Sequence, residues 1–329
     1  MTRQWRLATF NIESLDFKPS RAAGFEARII ALRPLLQRIN ADVLCLQEVN
    51  AQKIPGQKDR GFAALDMLLC DTQYTTFYRA TSHDPDTGSA SDVHNLVILS
   101  RWPMSNKRQL HHDLVPPLAS PFTEYVLRWD RPVQMADLTL PDGRTLHVVN
   151  LHLRAPRAVP LHAANKMAQP AHGSEEWAKG FYLAAAKRQG QALEARLAIE
   201  KLFDANPDAL IAVCGDLNSD VHETPAKILC ASAADMSDER SAPVSGNRSL
   251  TPLDARVSEA TRFSVLHDGR AIMLDHILAS RALTHVCGSV EVFNADLQDE
   301  FSAQEMVPTS FHAPVVATFA TDERGRAND

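Results

Sequence analysis

Apolar positions along this chain follow two periods. Trp5 to Ile12 and Asp42 to Val49 are short runs of strand formers, and between them Phe25, Ile29, Leu32, Leu36 and Ile39 recur at helical spacing. The spacing predicts strand, helix, strand. Further strands are expected at Tyr74 to Arg79, Asn95 to Leu99, Tyr125 to Trp129, Val133 to Leu140, Leu146 to Leu153, Ala209 to Cys214, Ala271 to Leu278, Val286 to Phe293 and Pro314 to Phe319. Pro141-Asp142-Gly143 reads as the turn of a hairpin, because glycine supplies the positive φ that the reversal needs. A second amphipathic helix is expected from Leu183 to Asp204, ended by Asn206-Pro207, and a third starts at Thr224-Pro225 with an N-cap residue followed by proline. Many strands with a few interspersed helices point to an α+β fold, two packed sheets with helices outside. The segments 50–61, 81–94, 155–180 and 231–261 are polar or rich in Pro, Gly and Ser and read as loops that shape a site or stay mobile.

The apolar runs repeatedly end in polar residues two apart, which a pleated strand places on one face. Core packing does not ask for that. Thr9 to Glu13 offers Asn11 and Glu13, and Leu44 to Glu48 ends in a carboxylate. Val149 to Arg154 offers Asn150, His152 and Arg154, while Cys214 to Asn218 offers Asp216 and Asn218. Asp275 follows Met273-Leu274, and His312 sits in Ser310-Phe311-His312.

Composition narrows the function without naming it. A chain of 329 residues with 45% hydrophobic content can bury a large core, and length alone leaves one large domain or two small ones open; the strand pattern favours a single α+β catalytic domain over 1–329, with 321–329 a disordered tail. Its net charge of -6 is opposite in sign to the field of a protein that grips long nucleic acid non-specifically, although a local basic groove stays compatible with it. Five widely spaced cysteines without a CxxC pair read as reduced residues of a cytoplasmic protein. The N-terminus lacks the apolar region of a signal peptide, and no stretch has the length and apolarity of a membrane span.

In order, TFNIE, LCLQEV, HNLVILSRWP, VVNLHL, VCGDLNS, LDHIL and SFHAPV resemble the signatures of the endonuclease/exonuclease/phosphatase superfamily, whose branches include deoxyribonuclease-like, exonuclease III-like and neutral sphingomyelinase-like enzymes. The resemblance runs from Thr9 to Val315. It implies a four-layer α/β/β/α sandwich of two mixed sheets flanked by helices, with the site at one edge. Glu48 resembles the principal metal ligand, with Asn11 beside it, so at least one Mg2+ (or Mn2+) ion is expected. Asp216 resembles the residue that orients or deprotonates the attacking water, and Asn218 its neighbour on the phosphate. His312 resembles the histidine on the scissile phosphate, Asp275 the carboxylate that fixes its tautomer, and His152 the second histidine of the deoxyribonuclease and sphingomyelinase branches. Asn150 and Arg154 share the face of His152 and are carried as substrate contacts; Asn95 either contacts phosphate or merely starts its strand.

Metal-dependent hydrolysis of a phosphoester follows, because an anionic ester repels hydroxide until its developing charge is neutralised and a water is aligned. The partner is then a phosphoester substrate: a small phosphodiester, a lipid head group or nucleic acid. One departure stands out. The family usually ends in Ser-Asp-His, and here the middle position is Phe311. Two alternatives accompany the lead: a DNA or RNA nuclease of the same fold, and a non-catalytic binding module with a site degenerate at Phe311. His83, His94, His111, His112, His162 and His172 lie in loops at no metal-ligand spacing and are expected to be solvated.

Overall fold

In the computed structural model the strand pattern resolves into two six-stranded sheets. The structure describes residues 3–122, 124, 126–161, 173–232, 235, 248–302 and 309–321. The first sheet holds β1 (Arg3–Leu15), β2 (Val43–Val49), β3 (Tyr78–Thr81), β4 (Asn95–Ser100), β11 (Cys287–Val292) and β12 (Val315–Thr321). Its order is β11-β12-β1-β2-β4-β3. The second holds β5 (Met104–Leu110), β6 (Val133–Thr139), β7 (Thr145–His152), β8 (Leu210–Asp216), β9 (Leu250–Pro252) and β10 (Asp275–Ser280), in the order β9-β10-β8-β7-β6-β5. Each sheet has one parallel pair at its centre, β1 with β2 and β7 with β8, and every other pairing is antiparallel. Both parallel pairs are joined by a helical crossover, α1 (Ala22–Ile39) in the first and α3 (Ser174–Ala205) in the second.

Period-two alternation sorts the strand residues into layers. Leu7, Val43, Cys45, Val148, Ala212, Cys214, Ile277 and Ala317 point between the sheets. Their neighbours Ala8, Phe10, Leu44 and Leu46 pack outward on α1 and on α2 (Ala63–Leu69). Val149, Leu151, Ile211 and Val213 pack outward on α3 and on α4 (Thr224–Cys230). Helix, sheet, sheet, helix is therefore the observed order of layers, and the expected sandwich is present.

Along the inner face the character changes with distance from the middle. Behind the apolar layer come Thr9, Gln47, Gln134 and Asn150, all buried and hydrogen-bonded to one another or to strand carbonyls. Beyond them lie Asn11, His152 and Asp216. Buried polar groups need partners, and this graded layer supplies them before the chain reaches solvent.

Several expected boundaries move. Tyr74 lies in a short 3-10 turn, because its hydroxyl is drawn inward to Leu36 O (3.2 Å) and Ala41 N (3.0 Å), so β3 begins only at Tyr78. The run Ala271 to Leu278 divides into a two-stranded ribbon (Val265–His267 with Arg270–Ile272) and β10. Of Tyr125 to Trp129 only Val126–Leu127 pairs, with Leu118–Ala119, and Tyr125 itself lies outside the described residues. Ser174 to Gly180, expected as loop, is the first part of α3. Thr224 is the first helical residue of α4 rather than its cap, which is Glu223. The segments 162–172 and 236–247, the tail from 322, and with them His162 and His172, lie outside the described residues. All five cysteines are free, and all but Cys70 are buried. Among the described residues no helix is long and apolar enough to cross a membrane.

Candidate active site

The carboxyl ends of both parallel pairs open at the same edge of the sandwich, the place where such strands leave room for a ligand. Asn11 is the last β1 residue paired with β2 before the irregularity that precedes Leu15, and Glu48 sits one residue before the end of β2. On the other sheet His152 is paired in register with Asp216, and Asp216 in turn with Asp275. His312 arrives on the segment just before β12. Side chains more than 200 positions apart thus meet: Asn11 Nδ2 donates to Asp216 Oδ2 at 3.0 Å and faces Glu48 Oε1 at 3.4 Å.

Alternation alone would point Glu48 outward, since Cys45 and Gln47 point in. Its backbone escapes through a left-handed φ of 60°, and the β2–β4 register shifts between Leu46 and Val49. Such a conformation at a non-glycine residue costs about 1–3 kcal/mol and persists only where the surroundings impose it. Here the carboxylate accepts from Ser14 N (3.0 Å) and Ser14 Oγ (3.1 Å), while His94 Nδ1 lies at 3.4 Å and His152 Nε2 at 3.7 Å.

His152 Nε2 also faces Asp216 Oδ2 at 3.4 Å. His312 Nδ1 pairs with Asp275 Oδ2 at 2.8 Å, which leaves Nε2 directed at Asp216 Oδ2, 4.0 Å away. Asp216 Oδ1 accepts from Asn218 N at 2.8 Å, and Asn218 Nδ2 donates to Leu153 O at 3.0 Å.

These surroundings separate the charge states. Burial alone would raise Glu48, but the hydrogen bond from His94 and the nearby His152, His94 and Arg131 hold it well below the usual carboxylate range. Burial, reinforced by the charge of Asp275 and opposed by His312, lifts Asp216 to about 6. Burial would lower His312, yet the charges of Asp275 and Asp216 outweigh it and bring the imidazolium to about 10. Burial and the cation of Arg131 push His152 far below its ordinary value, so it stays neutral. One acid, one base and one permanent anion now share a small volume.

The donor set suits a hard divalent cation. Carboxylate oxygens of Asp216 and Asp275 lie within 4.8 Å of each other and of a ring nitrogen of His312, and Glu48 adds a third carboxylate beside them, so the oxygens and not the protonated imidazole would hold the ion. Asp275 Oδ1 is buried without any hydrogen-bond partner, an arrangement that a cation would relieve.

Two expected substrate contacts are corrected. Asn150 is fully buried, its amide donating to Leu46 O, Val97 O and Gln134 Oε1 (3.2 Å each) and accepting from Gln47 (2.7 Å). It lies on the face of His152 but one pleat deeper, and it ties the sheets together. Asn95 is equally spent, donating to Val49 O (2.9 Å) and Ser91 O (2.7 Å) and accepting from Ser91 N. Arg154 stands at the rim, paired with Asp130 at 3.2 Å. Phe311 N donates to Glu13 Oε2 at 2.7 Å, so Glu13 supports the segment that carries His312. His276 is buried between Asp254 and Ser219 O and is likewise support.

Two residues at the site were missed. His94 is not free in solvent but lies beside Glu48, held by Asn50 through its backbone N–H at 2.9 Å. Arg131 interacts electrostatically with Glu48 and Asp216 from just before β6. The left-handed φ of 60° at His94, immediately before the strand that pairs with β2, has no signature in residue type.

The Endonuclease/Exonuclease/phosphatase family profile matches residues 8–302, and the chain belongs to that family, whose members are generally phosphoester hydrolases. A solved family protein from Bacteroides thetaiotaomicron superposes with a TM-score of 0.59 at 12% identity, covering 100% of this chain and 99% of that one. Truncated TDP2 from Caenorhabditis elegans gives 0.56 at 17% identity over 97% of this chain and 98% of that one. A family protein from Beutenbergia cavernae gives 0.55 at 17% identity over 96% and 71%. At these identities the likeness concerns the fold. No curated protein matches the sequence.

Proposed function

We propose that the chain is a divalent-metal-dependent phosphodiesterase that acts on a small phosphodiester, with Mg2+ or Mn2+ held by Glu48 and reached by Asp216, while Asn11, expected as a second ligand, turns its Nδ2 to both carboxylates and its Oδ1 to Glu13 N and so positions them. The observation that carries this reading is the convergence of Glu48, Asp216, His152 and the His312–Asp275 pair from both sheets. When bound, the cation would neutralise phosphate charge as a Lewis acid. The chain's own residues supply the rest. Asp216, fixed by Asn218 N and Asn11, is placed to orient and deprotonate a water. His312, kept cationic by Asp275, is placed to donate from Nε2 to a non-bridging phosphate oxygen, where charge develops. His152, neutral, directs Nε2 between Glu48 and Asp216, where it can hydrogen-bond a leaving oxygen that takes its proton from solvent.

Next to Asn218 and His312 a cavity of about 770 Å³ runs past Arg157, Phe181 and Arg188, room for an organic group on one side of the ester. The acidic chain favours such a compact ester over long duplex DNA. Cytoplasmic residence fits the five free cysteines. The test is hydrolysis of bis(p-nitrophenyl) phosphate, a nicked-plasmid assay and sphingomyelin turnover side by side with Mg2+ or Mn2+. Asp216→Asn should abolish turnover of whichever substrate responds, while Phe311→Asp should keep or raise it. A wild type as inert as Asp216→Asn on all three would leave only the binding-module reading.

A further inference from the structure

Beside Glu48, next to His94, a second cavity of about 560 Å³ is lined by Arg60, His94, Asp130, Arg131 and Arg154. Its cations differ in one respect. Arg60 lies 3.7 Å from Asp92 and donates to Ala51 O, Arg154 pairs with Asp130 at 3.2 Å, and His94 faces Glu48 at 3.4 Å. The guanidinium of Arg131 forms no hydrogen bond or close ion pair with any described residue, and its Nε is buried without a partner.

This half-buried cation is not loosely placed. Trp129 Nε1 donates to the buried Glu194 (2.6 Å), Asp130 accepts from Lys187 (2.6 Å), and Arg131 O accepts from Gln191 Nε2 (3.0 Å). Three consecutive residues are thus clamped onto α3. A planar fork of five donors, carried on a fixed stretch of backbone and paired with no described residue, matches an oxyanion. Glu48 and Asp216 stand within electrostatic reach, yet neither closes an ion pair with it.

We propose that Arg131 is a phosphate-binding positioning residue that couples the divalent cation to the phosphoryl group. Resting on the reading of Glu48 as a cation ligand, the argument is electrostatic. Without phosphate, the guanidinium is a like charge beside the cation and weakens its hold. Once a phosphate oxygen lies between them, the same guanidinium shares that oxygen's charge, so each ligand strengthens the other. Binding couplings are reciprocal, and their sign can be read by titrating either ligand.

The experiment is calorimetric titration of Mn2+ into metal-free wild type, Arg131→Met and Arg131→Lys, with and without saturating inorganic phosphate. In the wild type, phosphate should tighten Mn2+ by about tenfold or more. Arg131→Met should bind Mn2+ alone several-fold more tightly than the wild type and lose the effect of phosphate. Arg131→Lys, which keeps the charge without the fork, should bind Mn2+ alone like the wild type and keep part of the coupling. A residue needed only for structure would weaken Mn2+ in both states. That result, or full coupling retained in Arg131→Met, overturns the proposal. If Arg131→Met does not fold, full coupling in Arg131→Lys does so, because the fork is then irrelevant. Wild type that binds no Mn2+, or binds it as well after Glu48→Gln, would instead overturn the underlying reading of the cation site and take this proposal with it.

Discussion

Asp216 and His312 lie 4.0 Å apart and are pushed in the same direction for different reasons: the acid is raised to about 6 chiefly by burial, the imidazole to about 10 by two carboxylates. The roles proposed here need the ionised acid and the protonated imidazole. kcat/KM for bis(p-nitrophenyl) phosphate should therefore rise with pH through about 6 and fall again through about 10. Asp275 contributes most to raising His312 and holds its Nδ1 at 2.8 Å. Asp275→Asn should move the alkaline limb down by roughly 1–3 units, since one opposite charge at that distance is worth about that much. A profile over pH 5 to 11 with an unmoved alkaline limb would show that His312 is not the group that titrates. At this scale the sequence was informative wherever a polar residue interrupted an apolar strand, as at Asn11, Asp216 and Asp275. Asn150 interrupts its strand in the same way but one pleat from the opening, and burial depth along a face leaves no trace in residue type. Arg131 precedes its strand, where an arginine is ordinary, and only the fold brings it to Glu48.

At the scale of elements, the path of β8 into the site depends on Gly215. Its φ is 145°, and a Cβ there would lie 1.9 Å from Leu151 O of the parallel neighbour β7. The backbones approach so closely because His152 and Asp216 are paired in register on these strands. Gly215→Ala should force the strands apart and lower stability by at least about 2 kcal/mol. Gly24 lies near the start of α1 with nothing within 4 Å of its would-be Cβ, and Gly24→Ala should raise stability by about 0.5–1 kcal/mol. Urea denaturation of the two variants beside the wild type measures both, and equal midpoints would refute the account of Gly215. The central strands were legible because both faces are buried and their runs are apolar. Edge strand β5, Met104-Ser-Asn-Lys-Arg-Gln-Leu, was not, because exposed polar residues along an outer edge carry no strand period. The start of α3 was hidden for the same reason: Glu175, Glu176 and Lys179 lie on an exposed helical face beside unburied Trp177 and Tyr182.

For the whole molecule, the site is divided between two sheets that meet through an apolar layer. Asn11, Glu48 and His312 come with the first sheet, and His152, Asp216 and Asp275 with the second. Three carboxylates are gathered there, and their mutual repulsion works against closure of this edge even though His312 and Arg131 offset part of it. A cation with phosphate, held from both sides, would convert that repulsion into a tie between the sheets. Binding to the folded state alone stabilises it by about 2.7 kcal/mol at one hundred times the dissociation constant, which for a chain of this size corresponds to a Tm rise of roughly 5 °C. Mn2+ with phosphate should thus raise the melting temperature by that order. Glu48→Gln on one sheet and Asp216→Asn on the other should each remove most of the rise while leaving the metal-free protein folded. If both variants kept the full shift, the cation would be binding outside this cleft. Loss in only one of them would mean that a single sheet holds it, and the tie between the sheets would not exist.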